Sequence, residues 1–386
     1  MSIIVGQAVR SSDFWNRNDE LEDLWDAIEN GSHILISAPR RVGKTSIMYK
    51  LLDEPKTNYI PVYIDTESAD SQNEFWQKLF HALIEEDFVN SLKNSAKTLW
   101  SKLTTIKITK ISATGVKFGD GERLDYKKAF KRLIKDLDSD KKLIIMIDEF
   151  AQSIENIIKY ENTKSAISLL KAHRELRQDI KFSDKVTFIY AGSIGLESVV
   201  AKMGAIKHIN DLNSIKISPL SLSEAQEFTQ QLFTNNHITI TPANIHYLLD
   251  KIEWLIPFYI QLLAQEIKRL QRKESRVTPQ MIDQAIESSL QYRQHFETWL
   301  SRIKTAFKKN DYLFAKEILN TISENRTMES LSIANIAAKH SLDDDDAKEI
   351  IHSLVYDGYI NNNDNPKEYC FNSALLRLWW NKNVAN

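Results

Sequence analysis

The chain has 386 residues, 42% hydrophobic and 26% charged, the composition of a soluble globular protein with enough length for two or three domains. With 50 Lys and Arg against 52 Asp and Glu the net charge is −2, so no global positive field draws it onto nucleic acid. A single cysteine, Cys370, excludes an internal disulfide and a multi-cysteine zinc site. No apolar run reaches the ~18 residues that cross a bilayer, and the N-terminus lacks the layout of a signal peptide. A cytoplasmic location without a membrane partner is expected.

From Phe14 to about Ser218, short β-rich apolar runs alternate with longer amphipathic stretches, which predicts a parallel sheet flanked by helices. The runs are His33–Ser37, Tyr59–Ile64, Leu143–Ile147, Val186–Ala191 and Ile215–Ile217. Most are continuous rather than alternating, as in strands buried on both faces. Between Thr104 and Phe118 the residues alternate apolar with polar and end at Gly119-Asp120-Gly121, which predicts an inserted hairpin.

After Pro219, Ser221 to about Ala306 reads as consecutive helices. Ser223 and Gln226 resemble a capping box. Trp254 to Leu263 is apolar nearly all round and predicts a buried helix with Pro257 in its first turn. From Tyr312 to Trp380 three helical patterns, Phe314–Glu324, Ile333–His340 and Asp344–Tyr356, are followed by Gly358 as a C-terminal cap. Tyr359-Ile360, a turn over 361–366 and Glu368–Phe371 then read as a two-stranded wing. This predicts an α/β core over 1–217, a helical lid over 218–306 and a winged helix over 307–386.

Three motifs carry chemistry. Ala38-Pro39-Arg40-Arg41-Val42-Gly43-Lys44-Thr45 follows the first strand and precedes the helical Ser46–Leu52. Phosphate oxygens need converging backbone N–H groups, a helix N-terminus, a Lys for the β- and γ-phosphates and a hydroxyl for Mg²⁺. Gly43, Lys44 and Thr45 supply these parts within a nucleotide-binding stretch of Pro39, Arg40, Arg41, Val42, Gly43, Lys44, Thr45 and Ser46, with Lys44 on the phosphates and Thr45 on the metal. Alanine stands at position 38 where GxxxxGK[ST] has glycine, which costs little if its φ stays negative. The second motif is the strand ending in Asp148-Glu149-Phe150, whose acids fall beside the phosphate loop because ligands bind at the carboxyl ends of parallel strands. Asp148 would hold Mg²⁺ or its water, and Glu149 would orient or deprotonate the attacking water. The third places Ser193 after the Val186–Ala191 strand, either as a sensor of the γ-phosphate or as the cap of the next helix. Arg40, Arg41, Arg174 and Arg177 are candidates for neutralising transition-state charge.

With these motifs the chain resembles the archaeal-type P-loop ATPases allied to the STAND ATPases of the AAA+ group. The resemblance is carried by Phe14-x-x-Arg17-x-x-Glu20-Leu21, Pro39-Arg-Arg-Val-Gly-Lys-Thr-Ser46, Ile147-Asp-Glu-Phe150, Ala191-Gly-Ser-Ile194, Pro219-Leu220, Pro257-x-Tyr259-x-Gln261 and Phe371-x-x-x-Leu375-Leu-Arg-x-Trp379-Trp380. It departs at Ala38 and at Leu255, where relatives carry glycine. It implies a P-loop NTPase sheet, lid and winged helix, with ATP and Mg²⁺ as cofactors and ATP hydrolysis as the reaction. It also implies that Phe14, Arg17 and the lid around Pro257 lie near the adenine or the hinge. Relatives act as switches in stress responses, mobile elements and defence, so the fold names no pathway. Three readings remain at this stage: a conformational switch working on a protein partner, a DNA-associated ATPase assembling with nucleotide into oligomers, and a non-hydrolysing scaffold.

The predicted recognition helix, residues 343–357, carries one Lys against six acids, and phosphates would repel it. Its aspartates suit a helix N-terminus. The basic stretch Lys268–Arg276 and the group Lys127, Lys128, Lys131, Arg132 and Lys135 read as solvated faces or phosphate-binding patches. Trp379 and Trp380 read as core residues rather than base-stacking platforms.

Overall fold

The computed structural model describes residues 1–85, 108–112, 115–118, 124–135, 140–193, 195–271, 276–363, 365 and 367–385, with 108–112 and 115–118 described as backbone only. The chain divides into two compact units: Asn16–Ser37 with Lys44–Ile217, and Met1–Trp15 with Ala38–Gly43 and Ser218–Asn386. The break at 217/218 falls where strand patterns give way to helical ones. Residues 1–15 and 38–43, expected in the α/β core, group with the C-terminal part.

The first unit holds strands β1 (Ile34–Ser37), β2 (Tyr59–Asp65), β3 (Ile108–Ser112), β4 (Gly115–Phe118), β5 (Lys142–Asp148), β6 (Val186–Tyr190) and β7 (Asn213–Lys216). Five of them form a parallel sheet in the order β2-β5-β6-β1-β7. Leu143 to Ile147 of β5 are fully buried, as continuous apolar strands require. On one side, the helices Gln72–Ala82, Tyr126–Lys135, Phe150–Tyr160 and Thr163–Gln178 share a core with the sheet, built on Phe75, Trp76, Phe130, Ile154 and Leu169. Helix Asn18–Glu29 packs on β1 and β7, and helix Lys44–Asp53 packs on β2. β3 and β4 pair antiparallel as the expected hairpin, on a sheet of their own. The expected Gly119-Asp120-Gly121 ending lies outside the described residues.

The second unit contains five consecutive helices, Leu222–Asn235, Pro242–Ile252, Pro257–Leu270, Pro279–Ser289 and Arg293–Ala306. The capping box is formed by Ser221 and Glu224, two residues before the expected Ser223 and Gln226. Ser221 has the extended backbone an N-cap needs, while Ser223 is already helical. Thr241-Pro242 and Thr278-Pro279 repeat one device, a side-chain cap followed by proline at the first helical position. Pro257 likewise opens its helix, so Trp254 to Ile256 precede it.

The last section has helices Lys309–Asn325, Ser330–Lys339 and Asp344–Tyr356. Its three-stranded antiparallel sheet has the order β8-β10-β9, with β8 at Thr327–Glu329, β9 at Ile360–Asn361 and β10 at Glu368–Phe371. This is a winged helix. Gly358 has φ +85 just after the Asp344–Tyr356 helix, where only glycine is unstrained. Beyond the sequence expectation are β8 and a closing helix, Ala374–Trp380, which seats Trp379 and Trp380 in the core and is continued by a π-helical turn over Asn381–Ala385. Residues 1–15 are held to this unit by the Ile4 amide donating to Gln261 Oε1 (2.6 Å) and by Trp15 Nε1 donating to Gln231 Oε1 (2.7 Å).

Candidate functional site

β1 ends at Ser37 and the helix opens at Lys44, leaving 38–43 as the loop between them. Gly43 has φ +110, and a Cβ built there would meet no atom within 4 Å. Its backbone therefore demands glycine, and its open side leaves space for a ligand. Ala38 is absent from the positive-φ residues, so alanine in place of glycine carries no backbone strain. Lys44 and Ser46 are buried and Thr45 is half-buried at the helix start.

The acids arrive from β5. Asp65 and Asp148 lie opposite each other at the ends of β2 and β5. The Asp148 carbonyl accepts from the Thr66 amide (3.1 Å) and hydroxyl (2.8 Å), which pins the strand end. On the carboxylate, Oδ2 accepts from Thr45 Oγ1 (2.8 Å) and Tyr63 Oη (3.0 Å), while Oδ1 accepts from the Glu149 amide (3.0 Å). Burial and the neighbouring Glu149 push the Asp148 carboxyl above the ordinary aspartate range, and the hydrogen bonds from Thr45 and Tyr63 pull against that shift. Burial, reinforced by Asp148, holds the Tyr63 phenol far above its usual range and therefore neutral.

Glu149 has left-handed backbone, φ 54, a conformation costing ~1–2 kcal/mol outside glycine. The turn swings its carboxylate toward the end of β6, where Oε2 accepts from the Ser193 amide (3.0 Å) and hydroxyl (2.9 Å). Ser193 does not cap the next helix, whose N-cap is Gly195. Thus Thr45, Asp148, Glu149 and Ser193, more than a hundred residues apart at the extremes, form one connected group. The sequence did not single out Tyr63 or Thr66. Their signal was the polar ending of β2 beside the acids of β5.

Of the arginine candidates, Arg177 and Arg41 have partners outside this group. Arg177 is buried and bidentate to Asp211 (2.8 Å on each oxygen), and it also donates to Tyr190 Oη (3.1 Å) and the His208 carbonyl (2.6 Å). It serves the first unit's structure. Arg174 is half-buried on the same helix. Arg41, at φ 69, lies with its guanidinium carbon 4.0 Å from the Phe258 ring centroid. Burial lowers its pKa from the usual guanidinium range, opposed by Tyr259 and reinforced by Arg40. Pro39 lies close to Gly358, and Val42 is buried. Arg17, at φ 75, pairs with Glu20 (2.7 Å). Phe14 and Pro257 are half-buried in the second unit.

A parallel sheet with a phosphate loop after one strand and paired acids after another defines a P-loop nucleotide-binding ATPase. The chain belongs to the family of ATPase domains predominantly from Archaea, which matches residues 14–247. A Walker-type ATPase of Pyrococcus abyssi shares the fold at a TM-score of 0.68 and 16% identity, over 98% of this chain and 99% of that one. The Aeropyrum pernix ORC2 protein, solved as ADPNP-ADP complexes, shares it at a TM-score of 0.56 and 10% identity, over 98% and 96%. At these identities the likeness is one of fold. No curated protein sequence matches the chain. Among the described residues no helix is long and apolar enough to cross a membrane.

Proposed function

We propose that this ATPase is a nucleotide-driven conformational switch that uses ATP and Mg²⁺ and signals to a protein partner. The supporting observation is the double engagement of the loop 38–43. Its last residue leads into Lys44 and Thr45, while Arg41 stacks on Phe258 and Pro39 abuts Gly358. A loop that rearranges around phosphates must disturb these contacts, so ligand occupancy biases the lid helix opening at Pro257 and the Asp344–Tyr356 helix that Gly358 follows.

The residues fit the expected ligands. Gly43, Lys44 and Ser46 suit the phosphates, with Phe14, Arg17 and Pro257 proposed toward the base. Thr45 and Asp148 offer hard oxygen donors that suit Mg²⁺. Bound Mg²⁺ would neutralise phosphate charge and draw electrons from the leaving group. Lys44 contributes a fixed positive charge, Glu149 accepts the proton of the attacking water, and Ser193 aims that carboxylate. We read 1–217 as the catalytic core, 218–306 as the lid and 307–386 as the output domain.

The exposed positions of the Asp344–Tyr356 helix include Asp344, Asp345, Asp346 and Glu349 against Lys348. That face disfavours nucleic-acid phosphates and favours a protein partner with basic groups. The test is ATP binding and phosphate release with wild type, Lys44→Ala and Glu149→Gln. Expected are loss of binding in the first variant, and retained binding with at least ~100-fold slower turnover in the second. Unchanged ATP affinity in Lys44→Ala would refute the assignment.

A further inference from the structure

Tyr63 belongs to no motif of the phosphate site, yet it closes a circuit through it. Tyr63 and Asp65 point to one sheet face, and Asp65 is in register with Asp148, so Tyr63 reaches the acid diagonally from the neighbouring strand. Helix Lys44–Asp53 packs on β2. Thr45 and Tyr49 are four residues apart, on the same side of that helix. Thr45 donates to Asp148 Oδ2, and the Tyr49 ring meets the Tyr63 ring edge-on at 5.0 Å. Tyr63 completes the circuit by donating to Oδ2.

A carboxylate has about four lone-pair sites. On Asp148, Oδ2 has both of its sites taken, by Thr45 and Tyr63, and Oδ1 has one taken, by the Glu149 amide. Among the described residues, the remaining lone pair is on Oδ1. Two donors on one oxygen and one on the other fix the rotation of the group and select the oxygen left for an incoming cation or its water.

We propose that Tyr63 is a positioning residue for the metal site, saturating Asp148 Oδ2 so that the carboxylate presents Oδ1, with the ring held in place by Tyr49. This rests on the reading that Asp148 holds the metal. Outer partners of ligating carboxylates commonly change metal affinity about 10–100-fold when removed. Without the phenol hydroxyl a site on Oδ2 is freed, and the carboxylate no longer has one preferred face for the cation.

The test is calorimetric ATP binding across a Mg²⁺ titration from an EDTA baseline, using full-length wild type, Tyr63→Phe and Asp148→Asn. Tyr63→Phe is expected to raise the half-saturating Mg²⁺ concentration about tenfold or more, with the Mg²⁺-free ATP affinity unchanged. Asp148→Asn is expected to abolish the Mg²⁺ dependence. If Asp148→Asn abolishes it while Tyr63→Phe leaves the titration unmoved, the role of Tyr63 is overturned and the metal reading stands. If neither variant moves it, the metal reading falls and takes the proposal with it. Equal weakening of Mg²⁺-free and Mg²⁺-loaded binding by Tyr63→Phe would show a general structural effect and also overturn the proposal. Should Tyr63→Phe fail to fold, Tyr49→Leu carries the test: a smaller shift in the same direction is expected, and no shift overturns the role.

Discussion

His33 sits at the start of the strand that leads into the phosphate loop, and acid should release it. Its Nδ1 accepts from the Phe188 amide of β6 (3.0 Å), and its carbonyl accepts from the Asn213 amide of β7 (2.8 Å). The residue therefore ties β1 to both neighbours, the ring to β6 and the backbone to β7, and Nδ1 must be unprotonated to accept from Phe188. Burial, followed by the charge of Arg177, lowers its pKa from 6.5 to about 4. The unfolded chain binds the proton more readily, so the stability His33 confers is present above its unfolded pKa and drains away as pH falls from 6.5 toward 4. With those two values the loss between pH 7 and pH 5 is ~2 kcal/mol, and the full loss below pH 4 is ~3 kcal/mol. The assay is urea denaturation at pH 7 and pH 5 of wild type and His33→Asn, in which the amide oxygen keeps an acceptor near the Phe188 N–H. Wild type should lose ~2 kcal/mol more than the variant over this interval. Equal losses in both proteins would show that His33 is not the depressed group.

Two further outcomes follow from the site. Gly358→Ala places a Cβ 2.8 Å from Pro39 Cβ and 3.0 Å from Trp254 Cη2 at φ +85, which should cost at least ~2 kcal/mol in denaturation. Pro39→Gly, which removes the opposing Cβ, should recover part of that cost, and a double-mutant cycle with no coupling would refute the contact. Ser193→Ala removes one of two donors to Glu149 Oε2. It should slow phosphate release about tenfold while ATP affinity stays within about twofold, and faster release would show that Ser193 restrains the acid rather than aiming it.

The local parts of this site were legible because loop, helix start and paired acids each announce themselves within a few residues. Lys44, Thr45, Asp148 and Glu149 come from two such stretches, and the apolar β5 run fixed where the acids emerge. Tyr63 was not legible. Its role depends on the β2–β5 register, which sets Asp65 opposite Asp148, and on a ring contact from another element. The same limit hid β8, three residues long and a strand only through pairing with β10. The Ala374–Trp380 helix was obscured because a short apolar run has no amphipathic period to read. The capping box was displaced by two residues because serines at 221 and 223 both precede an acceptor at the right spacing, and backbone angles decide between them. Arg41 and Arg177 read in the sequence as candidates for neutralising transition-state charge, yet Arg41 packs over the Phe258 ring and Arg177 is ion-paired with Asp211.

The central claim is that one magnesium-bound triphosphate is held jointly by the loop ending in Lys44 and Thr45 and by the acids at 148 and 149. A crystal structure with Mg²⁺ and a non-hydrolysable ATP analogue tests it directly. The account predicts phosphate oxygens on the Gly43 to Thr45 amides and the Lys44 ammonium, with the metal between Thr45 and Asp148. Nucleotide bound elsewhere, or metal remote from Asp148, would contradict it.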